Sequence, residues 1–277
     1  MAAPLFEAVP NISEGRDLDK ISRIVEAVRS VPGIRILDLH TDPDHNRSVI
    51  TMAGQEEPIV EAAVTLARIC SEKIDLSVQA GVHPRMGSLD VLPFVPLEGA
   101  TLEDAARLAR KAGEKIGALG FAVYLYEAAA TAPHRRNLAD VRRGGYEGIS
   151  NRVAEPDWTP DYGSAQLSPN LGAVAVGARP FLVAFNAYLD TDNVEIARKV
   201  AGKIRQRDGG LPGLKALGLE VGGKAQVSMN LTDLEKISLP DALEAIRQEA
   251  AKHKTSVEST ELVGLMPMEA LLQTARY

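Results

Sequence analysis

Apolar residues recur along the chain with two different spacings, and the change from one spacing to the other marks the predicted elements. Alternation and short apolar runs predict strands, whereas apolar residues three or four positions apart predict amphipathic helices. Leu18, Ile21, Val25 and Val28, for example, share one face of a predicted helix. The first part of the chain is thus predicted to contain a strand over residues 5–11, that helix, a hairpin over 34–40 and 47–53, a helix opening at Pro58, and a strand over 89–97 closed by Pro93 and Pro96.

This order of elements, β-α-β-β-α-β, is typical of ferredoxin-like domains. The pattern next predicts an added helix with Thr101 as its N-cap and a further strand over residues 121–126. It weakens over residues 130–162, where the basic clusters at 134–136 and 142–143 are interpreted as solvated surface.

The same order returns after residue 181, and a helix capped by Ser238 belongs to this second pass. The predicted elements are strands over 181–188, 214–221, 225–231 and 257–265, helices over 194–204 and 239–250, and a terminal helix over 267–275. We therefore predict an α+β protein of two ferredoxin-like subdomains, residues 1–180 and 181–277, with a ligand cleft between them.

Composition narrows the possible partners. The 277 residues carry a net charge of -6 and a pI near 5.5, which argues against nucleic acids and anionic membranes as partners. No run reaches the roughly 18 apolar residues of a membrane span, and no leader pattern opens the chain. The single cysteine, Cys70, falls at an apolar helix position and is interpreted as a core residue. A soluble, cytoplasmic protein is expected.

Candidate chemistry lies in the loop before the strand over 89–97. Gly81, Pro84 and Gly87 are turn-forming residues, and His83 stands among them. A histidine can change charge near neutral pH, so His83 is a candidate for proton transfer. The alternative is that His83 only ties the loop to a backbone carbonyl.

A metal-dependent hydrolase is a rival hypothesis, because four potential ligands crowd the predicted hairpin loop. They are His40, Asp42, Asp44 and His45. Their spacing matches no established zinc pattern, and aspartates are common in turns, so we predict no metal. Neither a dinucleotide-binding glycine pattern nor a phosphate-binding loop motif occurs, so NAD and ATP are not expected.

Several stretches together resemble the formiminotransferase domain of glutamate formimidoyltransferases and formiminotransferase-cyclodeaminases. The resemblance runs in order through nearly the whole chain. The stretches are Val-Pro-Asn-Ile-Ser-Glu-Gly at 9–15, Asn46-Arg47, His-Pro-Arg-Met-Gly at 83–87, Val-Tyr-Leu-Tyr at 123–126, Asp157-Trp158, Pro-Asp-Tyr-Gly at 160–163, Gly-Ala-Arg at 177–179, and Ala-Phe-Asn at 184–186.

The resemblance implies transfer of a formimino group from N-formimino-L-glutamate to N5 of tetrahydrofolate, in histidine degradation. Tetrahydrofolate is then a co-substrate held between an N-terminal subdomain, residues 1–180, and a C-terminal subdomain, residues 181–277. The resemblance also implies a homodimer. Its folate-contacting stretch falls on Gly163, Ser164, Ala165, Gln166, Leu167, Ser168, Pro169, Asn170, Leu171 and Gly172, which form a polar, glycine-bounded connector.

The resemblance places the catalytic histidine on His83 and substrate-binding positions on Asn11 and Asn46. Because N-formimino-L-glutamate carries two carboxylates, Arg47 and Arg85 are candidates to bind them through their planar forks. The alternative is that each arginine bonds loop carbonyls and holds its own turn.

One departure from the family pattern concerns the acidic position before the hairpin, where this chain has His40. Asp38 or Asp42 is a candidate substitute for the carboxylate that assists the histidine. Two further alternatives share the predicted folate cleft: formyl transfer or salvage of 5-formyltetrahydrofolate, and folate binding without turnover.

Overall fold

The computed structural model describes residues 3–81 and 84–276. The chain divides into two compact units, Met1–Pro180 and Phe181–Tyr277. Each unit contains one sheet and its own hydrophobic core, so the predicted α+β class is confirmed.

The first unit contains seven strands and five α-helices among its described residues. The strands are β1 (Phe6–Ala8), β2 (Asn11–Ile12), β3 (Arg35–Asp42), β4 (Arg47–Gly54), β5 (Leu89–Pro96), β6 (Ala122–Glu127) and β7 (Ala173–Ala178). The helices are α1 (Leu18–Arg29), α2 (Glu56–Lys73), α3 (Leu102–Gly117), α4 (Leu138–Val141) and α5 (Gly145–Arg152).

The sheet of this unit has an antiparallel part and a parallel part. β3 pairs with β4, and both β1 and β2 lie between β4 and β5, all antiparallel. β7 and β6 then extend the sheet beyond β5 in parallel. Consequently β5, the strand that follows the candidate loop, has neighbours on both sides.

The predicted strand over residues 5–11 is two short strands in the structure, because the chain is interrupted at Val9 and Pro10. A second proline lies opposite this break. Pro93 falls inside β5, where its carbonyl accepts a hydrogen bond of 3.2 Å from the Val9 nitrogen. Within a strand the nitrogen and the carbonyl of one residue point to the same side. The nitrogen of Pro93, which carries no hydrogen, therefore faces the interruption between β1 and β2. Pro93 therefore does not end the strand as the sequence pattern predicted.

The core of the first unit lies between the sheet and helices α1, α2 and α3. Ile24, Leu66, Phe94 and Ile116 are among its fully buried side chains. Complete burial of such a side chain stabilises the fold by about 1.5–3 kcal/mol. The N-cap predicted at Thr101 is confirmed, and it forms a capping box with Asp104.

The cysteine interpretation is confirmed by its place in this core. Cys70 is fully buried on α2, and burial raises the pKa of its thiol. Among the residues that the structure describes, no helix combines the length and apolar character needed to cross a membrane.

The second unit is a four-stranded antiparallel sheet whose helices α6 and α7 share its core. Its elements are β8 (Val183–Leu189), α6 (Val194–Ile204), β9 (Leu214–Val221), β10 (Lys224–Leu231), α7 (Leu239–Lys252), β11 (Val257–Val263) and α8 (Met268–Arg276). The strand order is β11-β8-β10-β9. Ser238 caps α7 as predicted, and Gly222 and Gly223 turn the β9–β10 hairpin with φ of 58° and 72°.

The interpretation of the basic clusters as solvated surface is wrong for Arg135. Its side chain is buried and pairs with Asp161 at 2.7 Å. The same guanidinium donates to the carbonyls of Asp157 and Thr159. Arg135 therefore holds together the irregular segment between β6 and β7.

Glu7 on β1 generates a prediction about stability. Phe6 and Ala8 point into the core, so Glu7 points to the other face of the sheet, where it is only 2% exposed. Burial raises its pKa to about 7, and Arg179 opposes the shift. A pKa raised on folding contributes stability at low pH that is lost as pH rises through the folded value.

We expect Glu7→Gln to remove that loss. Between pH 4.5 and 7.5 the free energy of unfolding of the parent protein should fall, relative to the variant, by up to roughly 3 kcal/mol. Urea denaturation at a series of pH values measures this difference. Glu61→Gln, an exposed change on α2, is the control and should leave the profile unchanged. Parallel profiles for Glu7→Gln and the parent would contradict the prediction.

Candidate functional site

The predicted site residues of the first unit lie along one edge of its sheet. β3 and β2 end at this edge, and β4, β5, β6 and β7 begin there. The structure thereby brings Asn11, Asn46, Arg47 and one end of the connector over residues 163–172 to the same edge. Val82 and His83 lie outside the described residues, so the candidate catalytic histidine is not located by the structure.

Arg47 and Asn11 are direct partners. The Nη2 atom of Arg47 donates to the side-chain oxygen of Asn11, whose Nδ2 donates to the Val9 carbonyl at 2.9 Å. The pKa of Arg47 is lowered to about 10, mainly by burial and then by the neighbouring Arg142, while Asp90 and Asp42 oppose the shift. Arg47 remains a cation at neutral pH and can attract an anionic ligand.

Asn46 connects two loops. Its side-chain oxygen accepts from the Gly15 nitrogen, and its side-chain nitrogen donates to the Ala80 carbonyl, each at 2.9 Å. Its backbone has a positive φ of 48°, a conformation that asparagine tolerates better than most residues. Gln79 adds a third bond by donating to the Asn46 carbonyl at 2.9 Å. Asn46 thus ties the loop after β2 to the loop that carries the candidate residues.

The chain over residues 86–88 is fixed from both sides. Ser13 donates its hydroxyl to the Gly87 carbonyl at 2.7 Å. On the other side the Ala173 nitrogen donates to the Met86 carbonyl, and the Ser88 nitrogen donates to the Leu171 carbonyl, each at 2.8 Å. A Cβ atom on Gly87 would lie 2.1 Å from the Ala173 carbonyl oxygen, so this close approach requires glycine.

The connector predicted to contact folate crosses the beginnings of β6 and β7. Gly163 has a positive φ of 80°, and a Cβ atom there would lie 1.9 Å from the Phe121 carbonyl oxygen. At its other end Gly172 forms an antiparallel bridge with Gly87, and Asn170 accepts from the Leu76 nitrogen at 2.9 Å. Residues 163–166 and 169–170 are exposed. The exposed part of the connector is available to a ligand, whereas its end is part of the scaffold.

The hairpin that suggested a metal site has a structural explanation. Asp42 accepts from the backbone nitrogens of Asp44 and His45, each at 2.9 Å, and its other oxygen lies 3.2 Å from Nδ1 of His45. Burial lowers the pKa of His45, and Asp42 opposes the shift. Within residues 3–81 and 84–276, no group of three or more potential metal ligands occurs. Asp42 lies opposite Arg47 in the β3–β4 pairing, whereas Asp38 lies opposite Thr51 and His40 opposite Val49.

Four buried polar atoms on elements that meet at this edge have no hydrogen-bond partner in the described part of the chain. They are Nε of Arg47, Oε1 of Gln79, Nε of Arg85 and Oγ of Ser88. Buried polar groups are normally paired, so a concentration of unpaired ones indicates a place where a ligand or water completes the set. Arg85 is half-buried and makes no ion pair in the described structure.

Sequence reasoning missed Ser13, Gln79 and Asp90 and interpreted Arg142 as surface, although all four hold this edge together. Ser13 lies within the stretch 9–15 that carried the resemblance, and Asp90 is a charge in an otherwise apolar strand. These two features of Ser13 and Asp90 can be recognised from the neighbouring sequence alone. The partners of these residues are distant in sequence and could not be inferred from it.

Comparison with known proteins gives the same family for both units. The family profile described as "Formiminotransferase domain, N-terminal subdomain" matches residues 5–179, and the one described as "Formiminotransferase domain" matches residues 184–277. A protein of Streptococcus pyogenes serotype M1 named glutamate formimidoyltransferase is 44% identical, over 99% of this chain and 93% of its own. A glutamate formimidoyltransferase of Thermoplasma acidophilum is 43% identical, over 99% and 91%. The formimidoyltransferase-cyclodeaminase of Mus musculus is 39% identical over 99% of this chain, which corresponds to 52% of its own length.

The contacts of Asn46 generate a stability prediction. Asn46→Ala leaves the Gly15 nitrogen and the Ala80 carbonyl without their partner, and it places alanine at positive φ. We expect the free energy of unfolding to fall by about 2 kcal/mol. Denaturant titration measures the loss. Asn46→Gly is the matched control, because glycine relieves the backbone strain and still lacks both bonds. A glycine variant as stable as the parent would contradict the role assigned to the side-chain bonds.

Proposed function

This chain belongs to the formiminotransferase domain family, and on that premise we propose that it is a glutamate formimidoyltransferase of histidine degradation. The proposed reaction transfers the formimino group of N-formimino-L-glutamate to N5 of tetrahydrofolate and releases L-glutamate. The observation that carries the proposal is the 44% identity to a protein of that name over nearly the whole of both chains.

The charges at the sheet edge support a dianionic substrate. Arg47 is a partly desolvated cation, and its Nε has no partner in the described structure. Arg85 presents a second guanidinium that no described carboxylate neutralises. Two such groups can each bind one carboxylate of N-formimino-L-glutamate with charge-assisted hydrogen bonds. The protein has a net charge of -6, which repels a dianion, so local cations are needed to bind this substrate.

The chemistry requires a proton to be taken from one nitrogen and given to another. N5 of tetrahydrofolate attacks the formimino carbon and loses a proton, and the glutamate nitrogen gains a proton as its bond to that carbon breaks. We propose His83 for both transfers, on the basis of the family resemblance and of imidazole chemistry. Positioned proton transfer contributes about 10²–10⁴ in rate. Holding two substrates together can contribute roughly 7–11 kcal/mol, so binding geometry is the larger factor.

Tetrahydrofolate is proposed as co-substrate, with the connector Gly163–Gly172 as its contact. The exposure of residues 163–166 and 169–170 supports this assignment. The antiparallel order β3-β4-β1-β5 in the first unit and β9-β10-β8-β11 in the second supports the ferredoxin-like description. The predicted cleft, homodimer and cytoplasmic location remain predictions drawn from the resemblance and composition.

The assignment predicts which donor the protein accepts. We expect release of L-glutamate from N-formimino-L-glutamate only when tetrahydrofolate is present, measured by glutamate formation and by the absorbance of the folate product. N-formyl-L-glutamate and 5-formyltetrahydrofolate are offered in parallel. Transfer from a formyl donor at an equal rate would overturn the substrate assignment.

His83→Ala serves as the control for that assay. Turnover should fall about 10²–10⁴-fold, while binding of tetrahydrofolate, measured by calorimetry, should persist. Unchanged turnover would remove His83 from the proposed role. Folate binding without turnover in the parent protein would favour a binding protein instead of an enzyme.

Arg85 generates a separate prediction. Arg85→Gln removes a charge-assisted hydrogen bond of about 1.5–3 kcal/mol, so KM for N-formimino-L-glutamate should rise roughly 10- to 100-fold. Arg85→Lys should recover part of this loss, because lysine keeps the charge without the planar fork. Arg68→Gln, an exposed change on α2, is the control. An unchanged KM in Arg85→Gln would show that Arg85 does not bind the substrate.

A further inference from the structure

A buried ion pair joins two distant parts of the first unit beside Arg85. Asp90 lies near the beginning of β5, and Arg142 directly follows α4. Nη2 of Arg142 lies 2.5 Å from Oδ2 of Asp90, and the side chains are 17% and 3% exposed. The interpretation of Arg142 as solvated surface is therefore wrong.

Both members of the pair also bond the backbone on either side of Arg85. Arg142 donates to the Pro84 carbonyl at 2.6 Å, and the Met86 nitrogen donates to Oδ1 of Asp90 at 2.8 Å. Between them, the Arg85 carbonyl accepts from the Tyr146 nitrogen at 2.7 Å. The backbone of Pro84, Arg85 and Met86 is thus held at each residue by a group outside the loop.

Stability alone does not account for this arrangement. Burying two charges costs desolvation that their attraction only roughly offsets, and apolar residues of similar volume often stabilise a fold equally well. Apolar residues could not, however, bond the Pro84 carbonyl and the Met86 nitrogen. What the ion pair adds is a defined path for the backbone of an otherwise irregular loop.

We propose that Asp90 and Arg142 are positioning residues, which orient Arg85 so that its guanidinium meets a carboxylate of the substrate. This inference rests on the function proposed above. Arg85 has a long side chain with many rotamers, and no described carboxylate restrains its guanidinium. Its orientation consequently depends on where the backbone places its Cα atom, and that placement is what the ion pair fixes.

The kinetic test uses variants of the pair. Nη2 of Arg142 bonds both Asp90 and Pro84, and Arg142→Lys keeps the charge on a shorter side chain whose ammonium does not reach the place of Nη2. We expect KM for N-formimino-L-glutamate to rise about tenfold or more, with kcat changed less and the affinity for tetrahydrofolate unchanged. Asp90→Asn with Arg142→Gln removes both charges together, so it avoids leaving one charge buried alone. It should show the same KM effect.

Arg143→Gln is the matched control, since Arg143 is the next residue, is exposed, and pairs only with Asp140 among described carboxylates. It should retain the parent KM. A rise in KM for Arg143→Gln equal to that of Arg142→Lys, or no rise for Arg142→Lys, would overturn the proposal.

A double variant tests whether the pair acts through Arg85. If Arg142 only orients Arg85, then adding Arg142→Lys to Arg85→Gln should raise KM no further than Arg85→Gln alone. Independent, multiplying effects would mean that Arg142 acts on the substrate by another route and would overturn the positioning role.

Hydrogen exchange separates failure of this inference from failure of the proposed function. In the ligand-free protein, peptides covering residues 84–90 should exchange at least tenfold faster in Asp90→Asn with Arg142→Gln than in the parent or in Arg143→Gln. This readout requires no substrate. Faster exchange in a protein that lacks transferase activity would overturn the proposed function and leave the loop-fixing role intact. Unchanged exchange would overturn the inference even in an active enzyme.

Discussion

The first unit depends on one close backbone approach, between Gly87 and Gly172. Because neither residue has a Cβ atom, the chain entering β5 and the chain entering β7 can form a bridge. Ser13 completes the arrangement from the side of β2 through its bond to the Gly87 carbonyl. The start of β5 is therefore bonded to both neighbours, and the loop before it leaves the sheet in one direction. Residues 86–88, and with them the end of the loop before β5, take their position from that fixed point.

The two guanidinium groups at this edge, Arg47 and Arg85, suit the binding of an anionic ligand. Arg47 is a desolvated cation whose visible partner is a neutral amide, and Arg85 makes no ion pair within the described residues. A folded protein normally pairs such groups, since an unpaired polar group costs about 1–3 kcal/mol. A substrate carboxylate would supply the missing acceptors.

The sequence predicted the features that depend on neighbours along the chain. Thr101 and Ser238 were recognised as N-caps because their partners lie three residues away. The interior position of Pro93 was not predictable, because its missing hydrogen is accommodated by an interruption about 80 residues earlier, at Val9 and Pro10. Arg142 was interpreted as surface because its partner Asp90 lies 52 residues away. The sequence indicated which residues could form the site from their side-chain chemistry. Only the register of the sheet shows that they lie together at one edge.

A comparison of the two units indicates why the candidate site developed in the first one. Both contain a β-α-β-β-α-β order, in which the last strand is β5 in the first unit and β11 in the second. In the second unit β11 is an edge strand, so within the sheet it pairs with β8 alone. In the first unit β7 and β6 extend the sheet past β5, and the segment between them supplies both Arg142 and the connector ending at Gly172. The loop before β5 is consequently bonded from two sides by distant parts of the chain. The role proposed for Arg85, which is to present its guanidinium to a small substrate, needs that restraint, and the additional strands provide it.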